Sequence, residues 1–312
     1  SAAPGRGAAA GAAGGAPAAA AAPPSPAPPV PAPPARPETV SYSALRDYAR
    51  CGLRFKARRV LRLPELDPPA GVLPVAERVD GGALDARQRG SVVHALLEEL
   101  DLAAPAEPTA ERVAELAAGE GAEAEPPDVA AARRLVAAYV GSPTGSRLAR
   151  ARRVRRERGF AFAVGEAGED DLPLVTGVID AIGVEGDGGW LVVDFKTDPL
   201  GDGPAPDLEA RMAGSDYRVQ RLVYALAALR AGAPRVEVAH LFLEAPDRPA
   251  TVSYTAEDAG RLAEELAGLI GPLVRGEYPL TDAPHAGICA TCPARDGLCP
   301  YPRELKLRPE PR

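Results

Sequence analysis

Three sets of residues in this chain have types and spacings that could do chemistry. The first is Trp190-Leu-Val-Val-Asp194-Phe195-Lys196-Thr197-Asp198. In a strand, alternate side chains share a face. Asp194 and Lys196 therefore point one way, and Leu191, Val193 and Phe195 point the other, into a core. Just upstream, Gly177-Val-Ile-Asp180-Ala-Ile places Asp180 on a neighbouring strand. A tight Gly-Asp-Gly-Gly connection at 186–189 makes the two strands a hairpin, so two carboxylates and one ammonium converge on one patch of sheet. Hard divalent cations such as Mg²⁺ take oxygen ligands and retain waters. A lysine beside them can orient an attacking water and stabilise charge building on a phosphate. Of 36 basic residues only Lys56, Lys196 and Lys306 are lysines. Keeping a lysine at 196 points to selection of the compact ammonium over a guanidinium. By itself, Asp-x-Lys reads more readily as a structural ion pair at a strand end; Asp180 on the preceding strand brings the two readings level.

The second set lies on helices. Gly90-Ser-Val-Val-His94-Ala-Leu-Leu-Glu98 puts His94 at the edge of an apolar stripe, where a neutral imidazole could reach a metal; a lone helical histidine is also commonly just a packed residue. Tyr217, Gln220 and Tyr224 lie at i, i+3 and i+7 and share a helix face. Helix amphipathicity explains the tyrosines, whereas a glutamine on that face needs a polar partner. It is one of only two glutamines in the chain.

The third set is Cys289-x2-Cys292-x6-Cys299 in a Gly/Pro-containing tail, with Cys51 far upstream. Four thiolates including a C-x2-C element could bind Zn²⁺ or an iron–sulfur cluster. The spacing does not decide between the two. Disulfides or unrelated thiols are the plainer alternative, but nothing in the sequence suggests secretion.

Elements must position these residues. Residues 1–37 are almost entirely Ala, Gly and Pro, and residues 1–38 read as an extended linker without side chains able to offset ordering entropy. From Ser41 to Leu63 two short helices are expected, broken at Cys51-Gly52, then a loop over Leu66–Gly82. Helices follow over about 87–100, 110–118 and 129–140. The period then switches to strands at 159–164, 174–184 and 190–195. A helix over 217–230, a strand over 236–243, a helix over 256–275 and the Cys-rich tail complete the chain. The order α-β-β-β-α-β predicts one α/β domain over 39–312.

Composition excludes several classes. No apolar run approaches a membrane span, and no signal-peptide pattern is present. Four cysteines in 312 residues are too few for a disulfide scaffold. The net charge of −7 is segregated. The stretch Glu98–Asp128 is acidic, while Arg147–Arg158 holds seven arginines and one glutamate, and Arg54, Lys56, Arg58, Arg59 and Arg62 form a second basic run. Either basic run could track phosphates or be a solvated face.

Taken together, the pieces resemble the PD-(D/E)XK nuclease domain of the RecB and AddB exonuclease family in its iron–sulfur form. They are SYSALRDYARCGLRF, GSVVHALLEEL, GVIDAI, VVDFKTD, YRVQRLVYA and CATCPARDGLC, in the family's order from Ser41 to Cys299. The resemblance implies a restriction-endonuclease-like αβββαβ core with a helical preamble and a C-terminal iron–sulfur staple. It implies a DNA exonuclease using Mg²⁺ or Mn²⁺ held by His94, Asp180 and Asp194. Lys196 takes a catalytic role, and Gln220 and Tyr224 support substrate and site geometry. It further implies a [4Fe-4S] cluster on Cys51, Cys289, Cys292 and Cys299. A helicase domain or subunit in cis or trans, a role in double-strand-break repair and recombination, and a bacterial cytoplasmic setting follow by the same resemblance. The family's usual Cys-Pro is Cys51-Gly52 here. No G-x-x-x-x-G-K-[ST] loop is present, so these residues contain no motor of that type. The competing reading is an inactive nuclease-like clamp that positions a helicase on DNA.

Overall fold

The structure is a computed structural model. It describes residues 38–72, 82–164, 173–198, 200, 208 and 215–309. The expected linker lies outside these residues, apart from its last position, Glu38.

The chain enters through strand β1 (Thr39–Ser41) and turns into helix α1 (Tyr42–Arg50), where the Ser41 hydroxyl accepts from the Ala44 N–H at 3.2 Å. Helix α2 (Gly52–Phe55) follows and widens into a π-turn over Lys56–Val60. Four helices come next: α3 (Ala86–Glu99), α4 (Ala110–Gly119), α5 (Pro126–Gly141) and α6 (Pro143–Arg150). Strands β2 (Arg153–Ala163), β3 (Leu174–Val184) and β4 (Trp190–Lys196) form a meander. Helix α7 (Ser215–Arg230) then leads to β5 (Arg235–Phe242) and β6 (Ala250–Thr255). Helix α8 (Ala259–Val274) and two short helices, α9 (Ala286–Cys289) and α10 (Arg303–Lys306), end the described chain.

The sheet order is β1-β3-β4-β5-β6, with β2 also paired to β3. Its two faces bury different side chains. Val192 of β4 and Val236 and Val238 of β5 pack with α1, α7 and α8, whereas Leu191, Val193 and Phe195 pack with α3–α6. The alternation expected for β4 is therefore what folds it between two helical layers. Each fully buried Val or Leu contributes about 1.5–3 kcal/mol of transfer free energy.

The acidic insert is less of a loop than its composition suggests. The buried Asp128 carboxylate accepts from the N–H groups of Ala83 (2.9 Å), Leu84 (3.3 Å) and Glu125 (2.8 Å), tying α5 to the entry of α3. Helix α3 starts at a capping box: the Gln88 N–H donates to the Asp85 Oδ1 at 2.8 Å, and the Asp85 N–H donates to the Gln88 side-chain Oε1 at 3.1 Å.

The second basic run also has structural work. Arg59 donates to Asp47 at 2.6 Å, Arg58 pairs with Asp47 and Glu65, and Arg54 bonds the Ile288 carbonyl in the C-terminal tail. In the first run, Arg147 is held by Glu185 and Glu237 at 3.0 and 2.6 Å. These four arginines tie elements of the fold to one another.

Gly52 sits where the tail backbone leaves no room for a side chain. A Cβ there would meet the Pro279 nitrogen and the Tyr278 carbonyl carbon, both at 2.7 Å. Gly52→Ala is expected to cost about 1–3 kcal/mol by overpacking, read as a lowered midpoint in urea unfolding. An unchanged midpoint would show that the backbone there can give way.

Candidate active site

The site grows from a fork in the sheet. β3 pairs with β2 along its length, with β1 at Leu174–Thr176 and with β4 only at Ala181–Val184. Beyond Val193, β4 leaves β3 and runs on beside β5 through Asp194, Phe195 and Lys196. Asp180 sits where the strands part. Its Oδ2 accepts the Phe195 N–H across the gap at 2.8 Å.

Glu157 faces this position from β2. The β2–β3 register continues on both sides, but Glu157 and Asp180 are not paired, and Glu157 has φ 43°. A positive φ at a non-glycine residue is uncommon and local strain of this kind clusters at working sites. Its consequence is visible in the packing. Val154 belongs to the α3–α6 face, but Phe160 and Phe162, of the same parity, belong to the α7 face. The strand swaps faces at Glu157.

His94, Glu157 and Asp180 thereby bring one ligand atom each within 4.8 Å of one another. The His94 Nδ1 lies 3.6 Å from the Asp180 Oδ2. They line an open cleft of ≈ 490 Å³ together with Gly90, Ser91 and Glu98. Burial pushes the His94 pKa down, so the imidazole is neutral and ready to act as a ligand. Burial, and then the Asp194 carboxylate nearby, push Asp180 well above the ordinary carboxylate range. Two carboxylates held together in a poorly solvated place call for a cation. An imidazole and two carboxylates are a donor set that suits Mg²⁺ or Mn²⁺.

Asp194 flanks the three. Its Oδ2 lies 2.5 Å from the Lys196 Nζ, and its Oδ1 accepts from the Gln220 amide. The Lys196 ammonium also donates to the Gln220 Oε1 at 3.1 Å and stands 5.3 Å from the centre of the Tyr217 ring. Tyr224 donates to the Val178 carbonyl at 2.8 Å and accepts from Gln220 at 3.1 Å. The face expected from the i, i+3, i+7 spacing thus meets the strand pair, with Gln220 as the joint. Burial alone would lower the Lys196 pKa; the charge and hydrogen bond of Asp194 override it and raise the value. Lys196 therefore stays an ammonium, suited to stabilising negative charge and not to acting as a base.

Gln220→Ala keeps the Lys196–Asp194 pair and the Tyr224–Val178 hydrogen bond but removes the amide that Asp194, Lys196 and Tyr224 share. It is expected to lower stability by about 1–3 kcal/mol, seen in thermal melts. Without the amide that bridges them, Lys196 and Asp194 lose part of their fixed geometry, so turnover should fall while KM changes little.

Sequence reading did not single out Glu157. The available signal was that it is the one glutamate in a run of seven arginines.

The four cysteines are free thiols, three of them buried. Burial pushes the Cys289 thiol up to about 11, and Cys292, Cys51 and Cys299 each add to that rise. Cys51, at the break between α1 and α2, thus comes near the tail cysteines. Cys292 and Cys299 pack with Leu53, Ala57 and Ala294.

Comparison with known proteins decides the family. The sequence profile of the PD-(D/E)XK nuclease superfamily matches residues 39–300. The chain belongs to this superfamily. Within it, the chain is similar to an ATP-dependent helicase/nuclease subunit from Moorella thermoacetica, 37% identical over 137 residues, covering 38% of this chain and 10% of that protein. The corresponding protein of Heliobacterium modesticaldum is 33% identical over 132 residues, covering 38% and 9%. The matches thus span about a tenth of the length of these relatives. A solved structure from Eubacterium rectale aligns over 85% of this chain and 90% of its own at 12% identity and a TM-score of 0.47. No helix among the described residues is long and apolar enough to cross a membrane.

Proposed function

We propose that this PD-(D/E)XK domain, spanning 39–312 after a linker over 1–38, is a metal-dependent DNA exonuclease. The observation that carries the reading is the convergence of His94, Glu157 and Asp180 at the fork, beside the Asp194–Lys196–Gln220 network. When bound, Mg²⁺ or Mn²⁺ would supply Lewis acidity toward a phosphate oxygen and make an attacking water more acidic. His94, Asp180 and Asp194 would hold it, with Glu157 as a fourth donor. The Lys196 ammonium would stabilise the charge that builds on the phosphate. Gln220 holds Lys196 and Asp194 in place, and Tyr224 anchors Gln220 to the β3 backbone.

The four cysteines are proposed to hold a [4Fe-4S] cluster that staples the helical preamble to the tail. Their donor set is soft, and no disulfide uses it. The similarity to helicase/nuclease proteins supports a helicase partner in cis or in trans, and double-strand-break repair and recombination as the setting, in a bacterial cytoplasm.

Incubating the protein with end-labelled single- and double-stranded DNA tests the reading. Cleavage with Mg²⁺ or Mn²⁺ and none with chelator is expected. Binding without cleavage in any metal would favour the inactive clamp, a reading to which the presence of Lys196 and both aspartates runs counter.

A further inference from the structure

The arginine run that ends at Glu157 does not behave as one patch. Arg147 is consumed by Glu185 and Glu237. Arg153, Arg155 and Arg158 are exposed on β2, and their guanidiniums make no hydrogen bond or ion pair among the described residues. All three line a hollow of ≈ 540 Å³ on the α7 face of the sheet, and Arg230 closes its far wall. Arg230 is fixed there, donating to the Val164 carbonyl at 2.9 Å with its guanidinium 5.8 Å from the Phe162 ring centre. Among the described residues no Asp or Glu lines the hollow, and its floor includes Phe160 and the half-buried Trp190.

The face swap at Glu157 makes this possible. With unbroken alternation, Arg158 would point to the opposite face from Arg153 and Arg155. Because β2 inverts there, the three guanidiniums share one face over about 16 Å of strand, and Glu157 is left on the cleft side.

We infer that this hollow is a groove for a single strand of nucleic acid, gripping it away from the scissile phosphate. The inference rests on the nuclease reading and adds a substrate-holding surface to it. Unpaired guanidiniums in a row fit successive phosphates, and an aromatic floor offers bases a stacking surface. A duplex is a poorer fit, because its bases are paired and not free to stack on the Phe160–Trp190 floor. Because the grip lies on the other face of β2 from the cleft, losing it should raise KM and leave kcat nearly unchanged.

The test measures binding of a dye-labelled oligothymidylate in chelator across a range of salt. For a single strand the slope of log K against log salt is about −0.7 per phosphate neutralised. Arg153→Gln/Arg155→Gln/Arg158→Gln should therefore flatten the slope by about 2, and Arg155→Gln alone by about 0.7. Arg261→Gln/Arg275→Gln, which removes exposed arginines on and just after α8, should leave it unchanged. Trp190 is the one tryptophan in the chain, so an unlabelled oligonucleotide should quench its emission.

An unchanged slope in the triple variant, or no quenching in a wild-type protein that cuts DNA, would overturn the groove and leave the nuclease reading standing. Wild-type protein that neither binds nor cuts DNA would overturn both. Binding of a polyglutamate probe in place of the oligonucleotide would also overturn the groove.

Discussion

Lys196→Ala should lose DNA cleavage by about 10²–10³-fold or more, the scale seen when a group that stabilises transition-state charge is removed. The loss should fall on kcat, with DNA binding retained. The reasoning runs from the sheet. Asp194 and Lys196 share a face of β4 just where that strand leaves β3, so the ammonium is presented at an opening. Asp194 and Gln220 then hold it, at 2.5 and 3.1 Å. Beside the Asp194 carboxylate the Lys196 pKa is raised, so in the metal-free site the group is an ammonium suited to stabilising negative charge. Lys196→Arg should not restore full activity, because the planar guanidinium cannot replace a compact point charge between those two partners. The variant must stay folded for the result to count, which a thermal melt checks. Removing Lys196 also leaves Asp194 facing Asp180 without its counter-charge, so a modest fall in melting temperature is expected in the absence of metal. Cleavage at the wild-type rate in a folded Lys196→Ala protein would remove lysine from the chemistry.

Cys292→Ser should bleach the protein and destabilise it together. Purified without air, the wild-type protein is expected to be brown and to contain iron. The variant should lose most of both. A crosslink closing a loop as long as that from Cys51 to the tail cysteines is worth about 5 kcal/mol in chain entropy, so the melting temperature should drop by roughly 10 °C or more. Chelation of wild-type iron should give the same drop, because metal-ligand binding free energy appears as folding free energy. A colourless wild-type protein carrying zinc would overturn the iron–sulfur assignment but leave the staple. Loss of metal without loss of stability would overturn the staple.

Much of this site was legible because its residues obey short periods. Asp194 and Lys196 follow the two-residue alternation of a strand whose other face is Leu191, Val193 and Phe195. Gln220 and Tyr224 follow the helical repeat on α7. Compositional rarity helped: in a chain so poor in lysine and glutamine, Lys196 and Gln220 stood out, although the other glutamine, Gln88, serves a capping box instead.

The residues that escaped reading depend on non-local geometry. Glu157 belongs to the cleft because β2 inverts its faces there, and nothing in an arginine-rich run announces a positive φ. Strand β2 itself begins at Arg153, six residues before the expected strand, since an edge strand tolerates exposed charge along its length. Strands β1 and β6 are short and lack large buried side chains, so no pattern marks them. Helix α6 has only eight residues, started by Ser142 and Pro143. In the second basic run Arg54, Arg58 and Arg59 are tied to Asp47, Glu65 and the Ile288 carbonyl, partners that only the folded chain brings near.

The most direct measurement is the initial rate of cleavage of end-labelled DNA by the wild-type protein and by Asp194→Ala, each with Mn²⁺ and with chelator. The wild-type protein should cut only with metal, and Asp194→Ala should stay folded and fail to cut in either condition. Cleavage that persists in chelator, or that survives in Asp194→Ala, would contradict a metal-dependent nuclease centred on this fork.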